Sequence, residues 1–128
     1  CVLLADIDYF KTINYTHGHA VGDKVLQQVM HELSKNLRSK DTLIRWGGDE
    51  ILIVLPSIKL DSALKMADRL RTVIESCKFP MIEEVTMSFG VVTWKRKELK
   101  TSVLRRADEQ LYLAKANGRN CIFPHSVP

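Results

Sequence analysis

No apolar run in this chain reaches even half of the roughly 20 residues that a membrane-spanning helix needs. The longest, residues 1–5 and 51–55, are of strand length. A signal-peptide pattern is also missing. Cysteine is scarce: the three stand at positions 1, 77 and 121, an odd and scattered set. That excludes a disulfide framework and a zinc site, and fits buried thiols in a reducing compartment. Charge of one sign is weak, since a net +4 permits an anionic ligand but lacks the basic stripe expected of a DNA-binding protein. Repeats, linkers and low-complexity tracts do not occur. There is no leading methionine, and the chain opens inside what reads as a buried strand. The expectation is a fragment of a longer protein whose preceding segment covers part of the sheet. With 128 residues, 45% of them hydrophobic and 27% charged, the composition is that of one soluble domain with a real core.

Residues 1–5 are continuously apolar, as in a strand buried on both faces. Residues 15–22 hold two glycines and two histidines and predict a turn. Val25, Leu26, Val29, Met30, Leu33 and Leu37 then recur at helical spacing. Apolar runs at 42–46 and 51–55 flank Gly47-Gly48-Asp49-Glu50. They predict a tight hairpin whose glycines supply positive backbone angles, stopped by Pro56. A helix is expected over about residues 61–77, with Asp61 as its N-cap. Val85, Met87, Phe89 and Val91 alternate as in a strand. A further helix spans about residues 102–116 and is closed by Asn117-Gly118, before a short strand at 121–123.

This order of strand, helix, hairpin, helix, strand, helix and strand predicts an α+β fold. Its sheet is a ferredoxin-like or palm-type mixed sheet, in a single domain over residues 1–128. In such a sheet the first strand lies beside the hairpin, and Asp6 and Asp49 meet at one sheet edge. A hairpin needs no carboxylates. Two negative charges about 4 Å apart repel by roughly 1 kcal/mol in water and about 4 kcal/mol near a protein surface. Clustered Asp6, Asp49 and Glu50 therefore point to a bound cation, and oxygen ligands point to magnesium or manganese held against a phosphate chain.

Five ordered segments carry a resemblance. They are Asp6-Ile7-Asp8-Tyr9-Phe10-Lys11-Thr12-Ile13-Asn14, Gly18-His19-Ala20-Val21-Gly22-Asp23, Gly47-Gly48-Asp49-Glu50, residues 107–115 and Gly118-Arg119-Asn120. Together they closely resemble the GGDEF domain of bacterial diguanylate cyclases, from the first residues to about residue 123. Ile51 stands where that family usually has phenylalanine, a hydrophobic swap at a strand start. The family's upstream helix and leading Leu-Thr-Gly-Leu-type motif are not in the sequence.

The resemblance implies condensation of two GTP into cyclic di-GMP with release of two pyrophosphates. It implies two Mg2+ (or Mn2+) ions per half-site, bound by Asp6, the Ile7 carbonyl and Asp49 with help from Glu50. Asp49 and Glu50 are the implied catalytic residues. Asn14 and Asp23 would read guanine, with Phe10 and His19 also at the substrate. Lys11, Lys115 and Arg119 would hold phosphates. Arg38 and Asp41, with Arg69 in support, would form a site for inhibition by the product. The implied partners are a second copy of the chain, needed for activity, and an upstream sensor domain. No nucleic acid polymer and no membrane contact by this domain are implied. The implied location is cytoplasmic, including the cytoplasmic end of a membrane-anchored sensor.

Plainer readings stand beside these. Asp8 reads as the N-cap of the following turn, Asp23 as a helix N-cap and Asn14 as a turn residue. Lys115 and Arg119 complement a helix dipole, and that role is compatible with phosphate binding. His17 reads as a surface residue, and His19 either touches substrate or orients its loop. Arg38 and Asp41 alone would be a surface pair worth under about 1 kcal/mol. The rival functions are an inactive receptor for cyclic di-GMP and another palm-type nucleotidyl enzyme.

Overall fold

The computed structural model describes residues 1–125. Chain order is β1 (Val2–Ile7), α1 (Phe10–His17), α2 (His19–Lys35), β2 (Thr42–Arg45), β3 (Glu50–Val54), α3 (Leu60–Ser76), β4 (Met87–Val92), α4 (Lys100–Ala116) and β5 (Ile122–Phe123). The strands form one mixed sheet in the order β2-β3-β1-β4-β5. Only the β4–β5 pairing is parallel among these strands. This is the α+β, palm-type arrangement expected, with β1 central and flanked by β3 of the hairpin.

Strand alternation divides the apolar residues between the two faces. Leu3, Ala5 and Ile7 of β1 and Met87, Phe89 and Val91 of β4 join Val29 and Leu33 of α2 and Leu64 and Leu70 of α3 in the main core. Val2 and Leu4, with Leu52 and Val92, face Val103, Ala107 and Leu111 of α4. Each of the fully buried Val, Leu, Ile, Met and Phe side chains contributes about 1.5–3 kcal/mol of hydrophobic stabilisation. Asp6 follows Val2 and Leu4 on the α4 side, so the alternation that builds the core also aims this carboxylate.

Several local expectations are corrected. Residues 15–22 are mostly helical: α1 runs to His17, α2 starts at His19, and the turn is Gly18 alone, at φ 90°. That angle is one glycine adopts freely. Asp23 consequently lies inside α2 and caps nothing. Asp61 is not the cap of α3 either. Lys59 holds that position, and the Asp61 carboxylate accepts the Ser62 N–H in the first turn. Gly47 and Gly48 are absent from the positive-φ residues, so this hairpin does not depend on left-handed glycine. The three cysteines are free but half-buried rather than buried.

Candidate active site

The C-terminal end of β1 and the start of β3 lie side by side, with Asp6 paired to Glu50 across the ladder. The turn between β2 and β3 is held at both ends. The Trp46 and Gly47 N–H groups donate to the Glu50 carbonyl at 2.8 and 3.2 Å. The Arg45 guanidinium donates to the Gly47 and Gly48 carbonyls, which presets the turn's shape. Sequence reading passed over Arg45, because a lone arginine before a turn carries no pattern. The Ile7 N–H donates to the Asp49 carbonyl at 3.4 Å, tying the hairpin tip to β1.

These elements enclose a cavity of about 450 Å³ lined by Asp6, Ile7, Tyr9, Phe10, Lys11, Thr12, Asp49, Glu50, Lys115 and Arg119. Seven of the residues expected at a metal-triphosphate site from sequence are among them, together with Phe10. Tyr9 and Thr12 are additions that sequence reading did not single out. The cavity brings acids at the sheet end against bases from α1 and from the end of α4, a charge pattern suited to a polyanion carrying a divalent cation.

Asp6 is the unusual residue. It is buried, and its Oδ1 has no hydrogen-bond partner. Its other oxygen accepts from the Lys115 ammonium. Burial first, and the neighbouring Asp49 carboxyl second, push the Asp6 pKa up to about 7 against the opposing pull of Lys115. An orphaned carboxylate oxygen beside a second carboxylate is costly unless something positive takes it up.

Hard oxygen donors of this kind fit magnesium or manganese. The fit is through a carboxylate pair plus main-chain oxygen: among the described residues no group of three or more His, Cys, Asp and Glu side chains is disposed to hold a metal. Glu50 lines the same cavity on the same sheet face as Asp6 without completing such a trio. Lys115 lies in the last turn of α4, where its charge also complements the helix dipole.

The remaining sequence-predicted residues lie elsewhere. Asn14 is half-buried on α1, and its Oδ1 is likewise buried without a partner. Gly22 of α2 packs against it so closely that a Cβ would come within 1.7 Å of that oxygen. Asp23 is exposed on α2 and His19 is exposed at its start, neither lining the cavity.

Arg38 and Asp41 face each other between α2 and β2. The Arg38 Nε donates at 3.0 and 3.1 Å and its guanidinium NH2 at 2.7 Å, while the Arg38 N–H adds a bond of 2.7 Å. The Asp41 side chain is fully shielded, so this is no ordinary surface pair. Burial alone would raise the Asp41 pKa, but the Arg38 hydrogen bonds outweigh it and hold the carboxyl below its usual range. Arg69 is exposed on α3 and donates to Asn36 at 3.2 Å.

Asp8 overturns its reading as a cap, because Tyr9 holds the N-cap position of α1. The Asp8 side chain is buried and accepts from Thr86 Oγ1, Ser88 Oγ and the Asn120 N–H.

Known proteins resemble this chain in sequence and in fold. The response regulator PleD of Caulobacter vibrioides is 40% identical over 126 residues, covering 94% of this chain and 28% of PleD. The diguanylate cyclase DgcP of Pseudomonas aeruginosa is 41% identical over 118 residues, covering 90% of this chain and 18% of DgcP. This chain thus spans less than a third of either relative. The crystal structure of the GGDEF domain of DgcB from Caulobacter crescentus in complex with c-di-GMP matches with a TM-score of 0.87. Its identity is 30%, over 94% of this chain and 74% of that one. Residues 1–121 match the family described as "Diguanylate cyclase, GGDEF domain", and this chain belongs to the GGDEF domain family.

Proposed function

We propose that this domain is one half-site of a diguanylate cyclase, holding one GTP and joining it to the GTP of a second copy to give cyclic di-GMP and two pyrophosphates. The observation that carries this reading is the Asp6–Asp49 pair, with its partnerless buried oxygen, facing Lys11, Lys115 and Arg119 across one cavity. A receptor that merely bound the product would have no use for such a pair.

Asp6, the Ile7 carbonyl, Asp49 and Glu50 would hold two Mg2+ or Mn2+ ions. Bound there, such ions lower the pKa of an attacking ribose hydroxyl and neutralise the departing pyrophosphate. Asp49, which lines the cavity, takes the 3′-hydroxyl proton, with Glu50 beside it. Lys11, Lys115 and Arg119 offset the charge of the triphosphate and so orient its α-phosphate. Asn14 offers a donor and an acceptor and Asp23 offers acceptors, which suits the ring N–H and amino group of guanine. His19 and Phe10 shape the approach to that base.

Arg38, held by Asp41 and supported by Arg69, forms a separate product site. With Nε and one terminal nitrogen engaged by Asp41 and Pro56, the Arg38 guanidinium is oriented and keeps its other terminal nitrogen for a phosphate or the edge of guanine. Upstream sensor segments of the full-length protein control pairing of the two half-sites, and the domain works on free nucleotides in the cytoplasm.

Incubation with GTP and Mg2+, followed by separation of the products, tests the reading. Asp49→Asn keeps the shape of the side chain and removes its charge, so turnover should fall at least about a hundredfold with the fold intact. Normal turnover in that variant excludes the assignment. Arg38→Ala should leave the initial rate in place and raise the inhibition constant for added cyclic di-GMP. An unchanged constant removes the product site from the proposal.

A further inference from the structure

Arg119 sits in a conformation that its own sequence does not favour. Arg119 and Asn120 both have positive φ, at 62° and 45°. Two consecutive non-glycine residues in the left-handed region persist only where the surroundings hold them. The Arg119 N–H donates to the Ala114 carbonyl at 3.1 Å, and the next N–H is held by Asp8. Its Oδ2 accepts the Asn120 N–H at 3.0 Å and Thr86 Oγ1 at 2.7 Å, and its Oδ1 accepts Ser88 Oγ at 2.7 Å. With these three donors on a carboxylate only 4% exposed, Asp8 is committed to the protein and is not free for a cation.

The Asn120 side chain is fixed as well. Arg71 of α3 donates to its Oδ1 at 3.0 Å, and its Nδ2 donates to Glu75 at 2.5 Å. Just upstream of this bend, the Arg119 guanidinium lies 4.7 Å over the ring of Tyr9. Tyr9 is 63% exposed and has positive φ, at 57°. Asp8 and Tyr9 are thus adjacent residues that grip Arg119 from two sides, one beneath its backbone and one beneath its charge.

We propose that Asp8 and Tyr9 are positioning residues for nucleotide binding: by fixing the Arg119–Asn120 bend and stacking the guanidinium, they hold Arg119 toward the phosphate chain of a nucleoside triphosphate. This deepens the reading of the cavity given above and rests on it. Without Asp8 the Asn120 N–H loses its acceptor, the bend loosens, and the guanidinium is held less firmly at the cavity wall. Asn at position 8 can still accept that N–H through its amide oxygen. Its amide nitrogen then faces the Ser88 hydroxyl, which can turn to accept.

The test is a double-mutant cycle on affinity for α,β-methylene GTP with Mg2+, measured by calorimetric titration. Thermal melting checks that each variant is folded at the assay temperature. Asp8→Ala should weaken binding about tenfold, Asp8→Asn should recover most of the loss, and Asp8→Ala should change little in an Arg119→Ala background. Equal losses with and without Arg119, or normal binding by Asp8→Ala, overturn the proposal. If Asp8→Ala is unfolded, Tyr9→Ala decides, because its side chain is exposed: a loss that vanishes in the Arg119→Ala background supports the grip, and an additive or absent loss overturns it. Failure of the unaltered chain to bind the analogue overturns the functional reading, and this role with it. Binding by the unaltered chain without coupling to Arg119 overturns this role alone.

Discussion

Asn14 and Gly22 act as one unit. A Cβ on Gly22 would lie 1.7 Å from Asn14 Oδ1 and 2.9 Å from its Cγ, so any larger residue there must displace the amide. The obstacle is the far end of a rotatable side chain, so displacement costs the fold little. It costs the amide its orientation. Gly22→Ala should therefore melt near the unaltered chain while losing affinity for GTP. Misplacing one hydrogen-bonding group in a buried site costs about 1–3 kcal/mol, or roughly fivefold to 150-fold in affinity. Binding of ATP, which gains nothing from a guanine-reading amide, should change less. A titration with both nucleotides checks this, and an equal loss for the two would detach Asn14 from base selection. Gly22 has ordinary helical geometry, and nothing in its sequence context separates it from a weak helix residue.

At the scale of elements, α4 lies unusually close to the sheet. A Cβ on Gly90 of β4 would come within 2.4 Å of the Leu111 nitrogen and 2.5 Å of the Ala107 carbonyl oxygen. Both are backbone atoms, so no side chain can turn away, and Gly90→Ala must push α4 outward. The expected loss is about 1–3 kcal/mol or more, read as a lower denaturant midpoint or melting temperature. Lys115 and the 118–120 bend ride on α4, so nucleotide affinity should fall along with stability. An unchanged melting temperature would mean that the contact is looser than described.

The same packing explains what the sequence made legible. α2, α3 and α4 each bury a stripe at helical spacing, and their existence could be read directly. α1 buries only Phe10 and Ile13 of its eight residues, too few for a period to emerge, and the sequence predicts a turn where its last residues lie. Asp6 and Asp49 could be foreseen as neighbours because strand order and the hairpin dictate it. The role of Asp8 could not, because its partners Thr86, Ser88 and Asn120 stand 78, 80 and 112 residues away. Nor could the shielding of Asp41, which depends on how Arg38 folds over it and reaches on to the Pro56 carbonyl at 3.0 Å.

At the scale of the whole molecule, the proposed reaction takes more than one chain. The cavity lined by Asp6, Asp49 and Lys115 would take one triphosphate, whereas closing a cyclic dinucleotide takes two bonds and two nucleotides. If each protomer activates the α-phosphate of its own GTP, the two bonds are made by two separate sets of acids related by a two-fold axis. A mixed dimer of unaltered and Asp49→Asn chains then keeps one working set. It can form one phosphodiester bond and release one pyrophosphate, which leaves a linear dinucleotide that still carries a triphosphate. Fixing the unaltered chain and adding a ninefold excess of Asp49→Asn should, with random pairing, cut cyclic product about tenfold while linear product accumulates. Chromatography of the nucleotides distinguishes the outcomes. Cyclic product in proportion to the unaltered chain alone, whatever the excess, would mean that one protomer makes both bonds, and the half-site reading would fall even with the Asp6–Asp49 chemistry intact.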